Sequence, residues 1–203
     1  MHPSDEYALE QEGQYGKTEM WYILSAKDGA GIYYGFKEHI TPEQFERHIK
    51  NSTLTDVLNF VPVKAGESYF IPSGTINAIG KGLLIAEIQQ NLNVTYRVYD
   101  YGRVGADGKP RDLHIDKAKA VTSLAPVGEE ISGRCSSEYF TTRRLNISDT
   151  CTISNPDSFS ALLIIDGQGS INGMPFKKYD TFFIPADTLA NLSGSFNALL
   201  SFV

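Results

Sequence analysis

The chain has 203 residues, 41% hydrophobic and 21% charged, enough for one large globular domain or two small ones with a sizeable core. Eighteen basic against 24 acidic residues give a net charge of −6, which argues against nucleic acid or an anionic membrane as partner and for a small molecule. No apolar run reaches the length of a membrane span, and the start "MHPSDEYALEQEG" has no basic and apolar leader pattern, so a cytoplasmic protein is expected.

In chain order, "EMWYILSAKDG" and "AGIYYGFKEH" are the first predicted strands, divided by a turn at Lys27-Asp28-Gly29. A helical insertion is expected over about residues 41–60. Thr41 is its N-cap, Pro42 its first residue, and Phe45, Ile49, Leu54, Val57 and Leu58 form a discontinuous apolar face. "ESYFIPSG" and "GLLIAEIQQN" follow as strands, and a weaker helix is expected over Asp116 to Ser123. After a break near "TSLAPVGEEISG" come the strands "ALLIIDGQG", "DTFFIPAD" and "NALLSFV", with a second turn expected at Asp166-Gly167-Gln168-Gly169. With eleven Tyr, eleven Phe and 18 Gly, the pattern is that of a β-sandwich or barrel.

One unit recurs. "KAGESYFIPSGTINA" from Lys64 aligns without gaps on "KKYDTFFIPADTLAN" from Lys177, and "WYILSAKDGAGIYYG" resembles "ALLIIDGQGSINGMP" in pattern. In the second copy Tyr179, Asp187 and Ala190 stand where the first has Gly66, Gly74 and Asn77, so the second unit is read as structural.

Candidate chemistry sits in three polar stretches. Glu19 alternates onto the face of Trp21 and Ile23; it is either a metal ligand or general base, or a rim carboxylate on a solvated strand end. Arg97, in an aromatic and β-branched run, faces either a structural carboxylate or a substrate anion. His2 on its own reads as a surface residue, as do His39 and His48, and none of the four histidines forms a ligand-spaced pair. Cys135 and Cys151 are too far apart for a thiolate zinc motif and are read as free thiols.

Taken together, "HPSDEYA", "GKTEMWYIL", "FIPSG..NAIGKG", "EIQQN....YRVYDYGR" and "RDLHIDKA" resemble, in the same order, the short bacterial type I mannose-6-phosphate isomerases, zinc enzymes of the cupin superfamily. The resemblance implies an all-β bicupin of two jelly-roll barrels, with a metal-site domain at 1–125 and a metal-free C-terminal cupin at 126–203. It implies one zinc per chain, held by His2 and Glu19, with Asn77 where the family has a histidine. It further implies that Arg97 stabilises an enediolate and that Lys17 contacts the sugar phosphate or moves protons. The family's glutamine before His2 and its upstream strands do not precede Met1, so the first barrel is expected to be N-terminally incomplete. A misassigned start and a shortened chain both account for this, and a homodimer through the open sheet edge is expected. The rival expectation is a non-catalytic cupin, binding a sugar phosphate or serving as a structural partner.

Overall fold

The computed structural model describes residues 1–100, 108–109, 111–128 and 134–203. Residues 101–103 of the YRVYDYGR motif and residues 129–133 of the expected break lie outside the described residues. The chain is mostly β, with 41% strand and 14% helix, and divides into two compact units, Met1–Glu130 and Ile131–Val203.

The first unit holds two three-stranded antiparallel sheets. One has the order β4-β1-β6, from β1 (Glu19–Ala26), β4 (Ser68–Ile71) and β6 (Leu83–Gln89); the other has the order β3-β2-β5, from β2 (Gly31–Phe36), β3 (Leu58–Pro62) and β5 (Asn77–Ile79). The predicted turn between β1 and β2 is present: Ala30 N–H donates to the Lys27 carbonyl, and Gly29 supplies the left-handed residue at φ 73°. Trp21, Ile23, Ile32, Tyr34, Val63, Tyr69 and Ile71 form one buried core, and Phe36, Phe45, Ile49, Leu54, Leu58 and Ile76 belong to another.

The insertion is shorter than expected. α2 (Pro42–Lys50) begins with a capping box in which Thr41 and Gln44 satisfy each other's backbone N–H, and a single 3-10 turn follows at Leu54–Asp56. Residues 58–62 are strand β3, not helix: Leu58 is buried, burial then alternates, and the strand pairs with β2. α3 (Ile115–Val121) matches the weaker predicted helix.

The opening helix α1 (Asp5–Glu12) was not anticipated. Ser4 caps its first turn, Asp5 and Glu6 suit the positive end of the helix dipole, and Gly13 closes it at φ 65°. Its apolar periodicity is almost nil, with Ala8 the single buried residue, and periodicity is what sequence reading detects.

The second unit is a seven-stranded antiparallel sheet. β7 (Arg134–Ser136), β8 (Thr141–Ile147), β13 (Ala190–Phe202), β10 (Ser160–Ile171) and β11 (Met174–Pro175) lie in that order. β9 (Thr150–Ile153) pairs with β13, and β12 (Thr181–Ile184) with β10. Leu162, Ile164, Ile184, Leu192, Phe196 and Leu200 form part of its core.

The repeat is real at the level of hydrogen bonds. Gly66 N–H donates to the Ile23 carbonyl as Tyr179 N–H does to that of Ile164, and the Lys64 and Lys177 N–H groups donate to Glu67 and Asp180 carboxylates. Tyr179 (φ 72°) and Asp187 (φ 56°) keep the left-handed backbone of Gly66 (φ 96°) and Gly74 (φ 83°). The strand before the repeat needs a correction of one residue. Glu19 pairs with Ile71 and Ser160 with Ile184, and both strands carry a bulge one residue after an isoleucine, Ile23 or Ile164. Glu19 therefore corresponds to Ser160, and Trp21 to Leu162.

Candidate functional site

The site is built around Glu19, the first residue of β1, which is 1% exposed. Three segments bring partners to it. His2, ahead of α1, puts Nε2 3.5 Å from Oε1; Lys17, just before β1, puts Nζ 2.8 Å from Oε2; Asn77, opening β5, donates from Nδ2 to Oε1 at 2.6 Å. His2 is buried, not a surface residue: its Nδ1–H donates to the Val94 carbonyl at 2.9 Å, which leaves Nε2 facing Glu19. Glu19 is likewise no rim carboxylate.

The backbone explains the convergence. The carbonyl of His2 accepts from Gly74 N–H at 2.7 Å, tying the opening segment to the Pro-x-Gly bend that delivers Asn77. Gly74 takes φ 83° at that bend, and a Cβ there would stand 2.8 Å from the Val121 carbonyl.

Burial raises the pKa of Glu19, but His2 and Lys17 outweigh it and hold the carboxyl well below the usual carboxylate range. Burial disfavours the Lys17 ammonium; its contacts with Glu19 and with Glu87, whose Oε1 lies 2.9 Å away, win and raise its pKa. Lys17 is thus a fixed cation between two carboxylates. Glu19 Oε2 has this ion-pair partner but no well-directed hydrogen bond, so one lone pair of a buried carboxylate remains open. On the same face of β1, Trp21 buries its indole Nε1 without a partner.

No family model matches the chain. The Bacillus subtilis mannose-6-phosphate isomerase ManA is 36% identical over 202 residues, covering 91% of this chain and 64% of its own length. The crystal structure of mannose 6-phosphate isomerase from Bacillus subtilis superposes with a TM-score of 0.89 at 33% identity, over 100% of this chain and 70% of that one.

The chain belongs to the mannose-6-phosphate isomerase family. It spans less than two thirds of the length of ManA. A mannose 6-phosphate isomerase solved with zinc and yttrium shares the fold at a TM-score of 0.72 and 14% identity, covering 99% of this chain and 74% of its own.

For a zinc ion, the residues present offer two ligands at a suitable separation and one weak donor. Among the described residues no three His, Cys, Asp or Glu side chains form a metal cluster, because the third position is Asn77. The 3.5 Å between His2 Nε2 and Glu19 Oε1 is about the separation of two ligands on one zinc with bonds of about 2.0–2.2 Å. The Asn77 amide can present its oxygen in place of its nitrogen only by also drawing back from the 2.6 Å at which it now donates to Glu19 Oε1. An amide oxygen is a poorer zinc ligand than imidazole, so His2 and Glu19 stand at a zinc-sharing distance while the third place holds a weak donor.

Four of the five residues singled out from the sequence converge: His2, Lys17, Glu19 and Asn77. Arg97 makes its contacts elsewhere, donating from Nη1 to the Asp112 carbonyl at 3.3 Å with Nε 3.9 Å from an Asp100 carboxylate oxygen. Asp100 is also held by Arg111. Sequence reading missed Glu87, although it lies inside the quoted EIQQN motif. Its signal was its position on β6, where it pairs with Trp21 two residues beyond Glu19.

Proposed function

We propose that this chain carries the active site of a phosphosugar aldose-ketose isomerase, interconverting mannose 6-phosphate and fructose 6-phosphate. The observation that carries the reading is the buried Glu19 with His2, Lys17 and Asn77 around it, in a chain of this family. His2 Nε2, Glu19 and the Asn77 amide oxygen would hold a zinc, which would supply Lewis-acid chemistry to the sugar's oxygens.

The reaction moves a proton between C1 and C2 through an enediol, and charge grows on the oxygens as it does so. Lys17, kept cationic by two carboxylates, donates to a substrate oxygen and so stabilises that charge. Its neighbour Glu87 is exposed, carries no zinc role, and stands where a proton can be exchanged with solvent. Arg97 steadies the enediolate once its guanidinium exchanges the Asp112 carbonyl and Asp100 for the substrate.

A second reading, a cupin that binds a sugar phosphate without turning it over, is favoured by Asn77 alone. Zinc stoichiometry and isomerase turnover on the same sample decide between them. One zinc per chain with turnover supports the isomerase. No zinc and no turnover, in the wild type and in Asn77→His alike, refutes it.

A further inference from the structure

His2 precedes α1 and Glu19 follows it by seven residues, and that helix buries only Ala8, so it cannot by itself fix their separation. Direct cross-links do so. Lys17 N–H donates to the Pro3 carbonyl at 3.1 Å, Gly16 N–H to Asp5 Oδ1 at 2.8 Å, and Thr18 N–H to Gln90 Oε1 at 2.7 Å. Gln90 Nε2 then donates to the same Asp5 Oδ1 at 3.3 Å, and Gln90 N–H to the Thr18 carbonyl at 3.1 Å. Three consecutive N–H groups ahead of Glu19 are thereby held against the His2 segment or against Gln90. The approach is close enough that a Cβ on Gly16 would lie 2.4 Å from the Pro3 carbonyl oxygen.

We infer that Asp5 and Gln90 are positioning residues: their shared hydrogen bonds set the Lys17–Glu19 run against the His2 segment and so keep His2 and Glu19 at metal-sharing distance. The inference rests on the isomerase reading for its purpose, though not for its geometry. The chemistry dictates each residue type. The Thr18 N–H can only donate, so Gln90 must present its oxygen; its nitrogen then faces position 5, which must accept. Asp5 also accepts from Gly16, a second demand that a donor could not meet.

This dependence gives a swap that separates positioning from mere folding. Gln90→Glu sets a second carboxylate against Asp5 and breaks the link. In Asp5→Asn/Gln90→Glu the amide and the carboxylate trade places: both bonds now reach the one oxygen Asp5 Oδ1, so the amide at position 5 turns to keep its oxygen on Gly16 N–H and to bring its nitrogen toward the carboxylate at position 90. Three quantities are measured for the wild type and both variants: zinc affinity by chelator competition, the His2 ring signals in a long-range 15N–1H spectrum, and the melting temperature.

Gln90→Glu is expected to weaken zinc binding about tenfold or more and to shift the His2 ring signals, as loss of support behind a ligand does. The double variant restores both. A Gln90→Glu protein that melts earlier yet keeps wild-type zinc affinity and ring signals overturns the inference, as does a double variant without rescue. If Gln90→Glu does not fold, Gln90→Met breaks the same bonds without adding charge and is read the same way. Should the wild type bind no zinc and turn over no substrate, the isomerase reading fails, and the His2 ring signals alone decide the inference.

Discussion

Replacing Lys17 by methionine removes the ammonium that lies 2.8 Å from Glu19 Oε2 and 2.9 Å from Glu87 Oε1. The two contacts differ in weight. The Glu87 side chain is 35% exposed, so that half is a surface pair, worth about 0–1 kcal/mol. Glu19 is buried, and breaking a buried pair from one side costs about 3–5 kcal/mol because the survivor keeps its charge out of water. Asn77 still donates to Glu19 at 2.6 Å and His2 stays beside it, which brings the expected loss to about 2–3 kcal/mol. Urea unfolding of Lys17→Met, Glu19→Gln, Glu87→Gln and the paired variants gives the coupling energies directly. Lys17 should couple to Glu19 by about 2 kcal/mol and to Glu87 by less than about 1 kcal/mol. A total loss under about 1 kcal/mol, or a Glu87 coupling as large as that of Glu19, refutes the burial argument.

Gly16→Ala should cost about 3 kcal/mol in thermal unfolding, because its Cβ meets the Pro3 and Ser4 backbone at 2.4 Å; Gly13→Ala, with nothing within 4 Å, should cost about 1–2 kcal/mol for its positive φ alone. Equal losses would disprove the steric account. Ser160 buries Oγ without a partner, so Ser160→Ala should stabilise the protein by about 1 kcal/mol, and a destabilised variant would mean that the hydroxyl is satisfied. Because the folded pKa of Glu19 is depressed, its stabilising contribution is complete above the unfolded value of about 4.5 and is lost as pH falls toward about 2. Glu19→Gln should flatten the fall of the urea midpoint in that window; Glu46, depressed by Lys119 and Lys50, titrates there too, and Glu46→Gln is the control.

Much of the fold was legible because period-2 alternation and the Lys27-Asp28-Gly29 turn mark strands, and because Thr41-Pro42 marks the start of α2; the expected turn at Asp166-Gly167-Gln168-Gly169 is instead part of β10, where each of the four residues pairs with β13. β3 was misread as helix, since Val57 and Leu58 continue the apolar spacing of α2 and sequence shows no pairing partner. The one-residue slip in the repeat has a related cause. Glu19 to Ile23 are buried on both faces, and a continuous apolar run reads alike in either register. Of the site, Glu19 and Arg97 could be singled out from their own surroundings, though each with an alternative; His2, Lys17 and Asn77 were legible only through family resemblance. Glu87, Gln90 and Asp5 act across long stretches of chain, where no local pattern announces a hydrogen bond.

The second unit retains the mould of the first after losing its contents. Tyr179 and Asp187 hold a backbone that glycines hold in the first copy, and Ser160 and Ala190 occupy the places of Glu19 and Asn77. A carboxylate at 160 and an imidazole at 190 would stand where Glu19 and Asn77 stand in the first copy, which makes this unit a template for asking whether the mould alone is enough to bring two such side chains together.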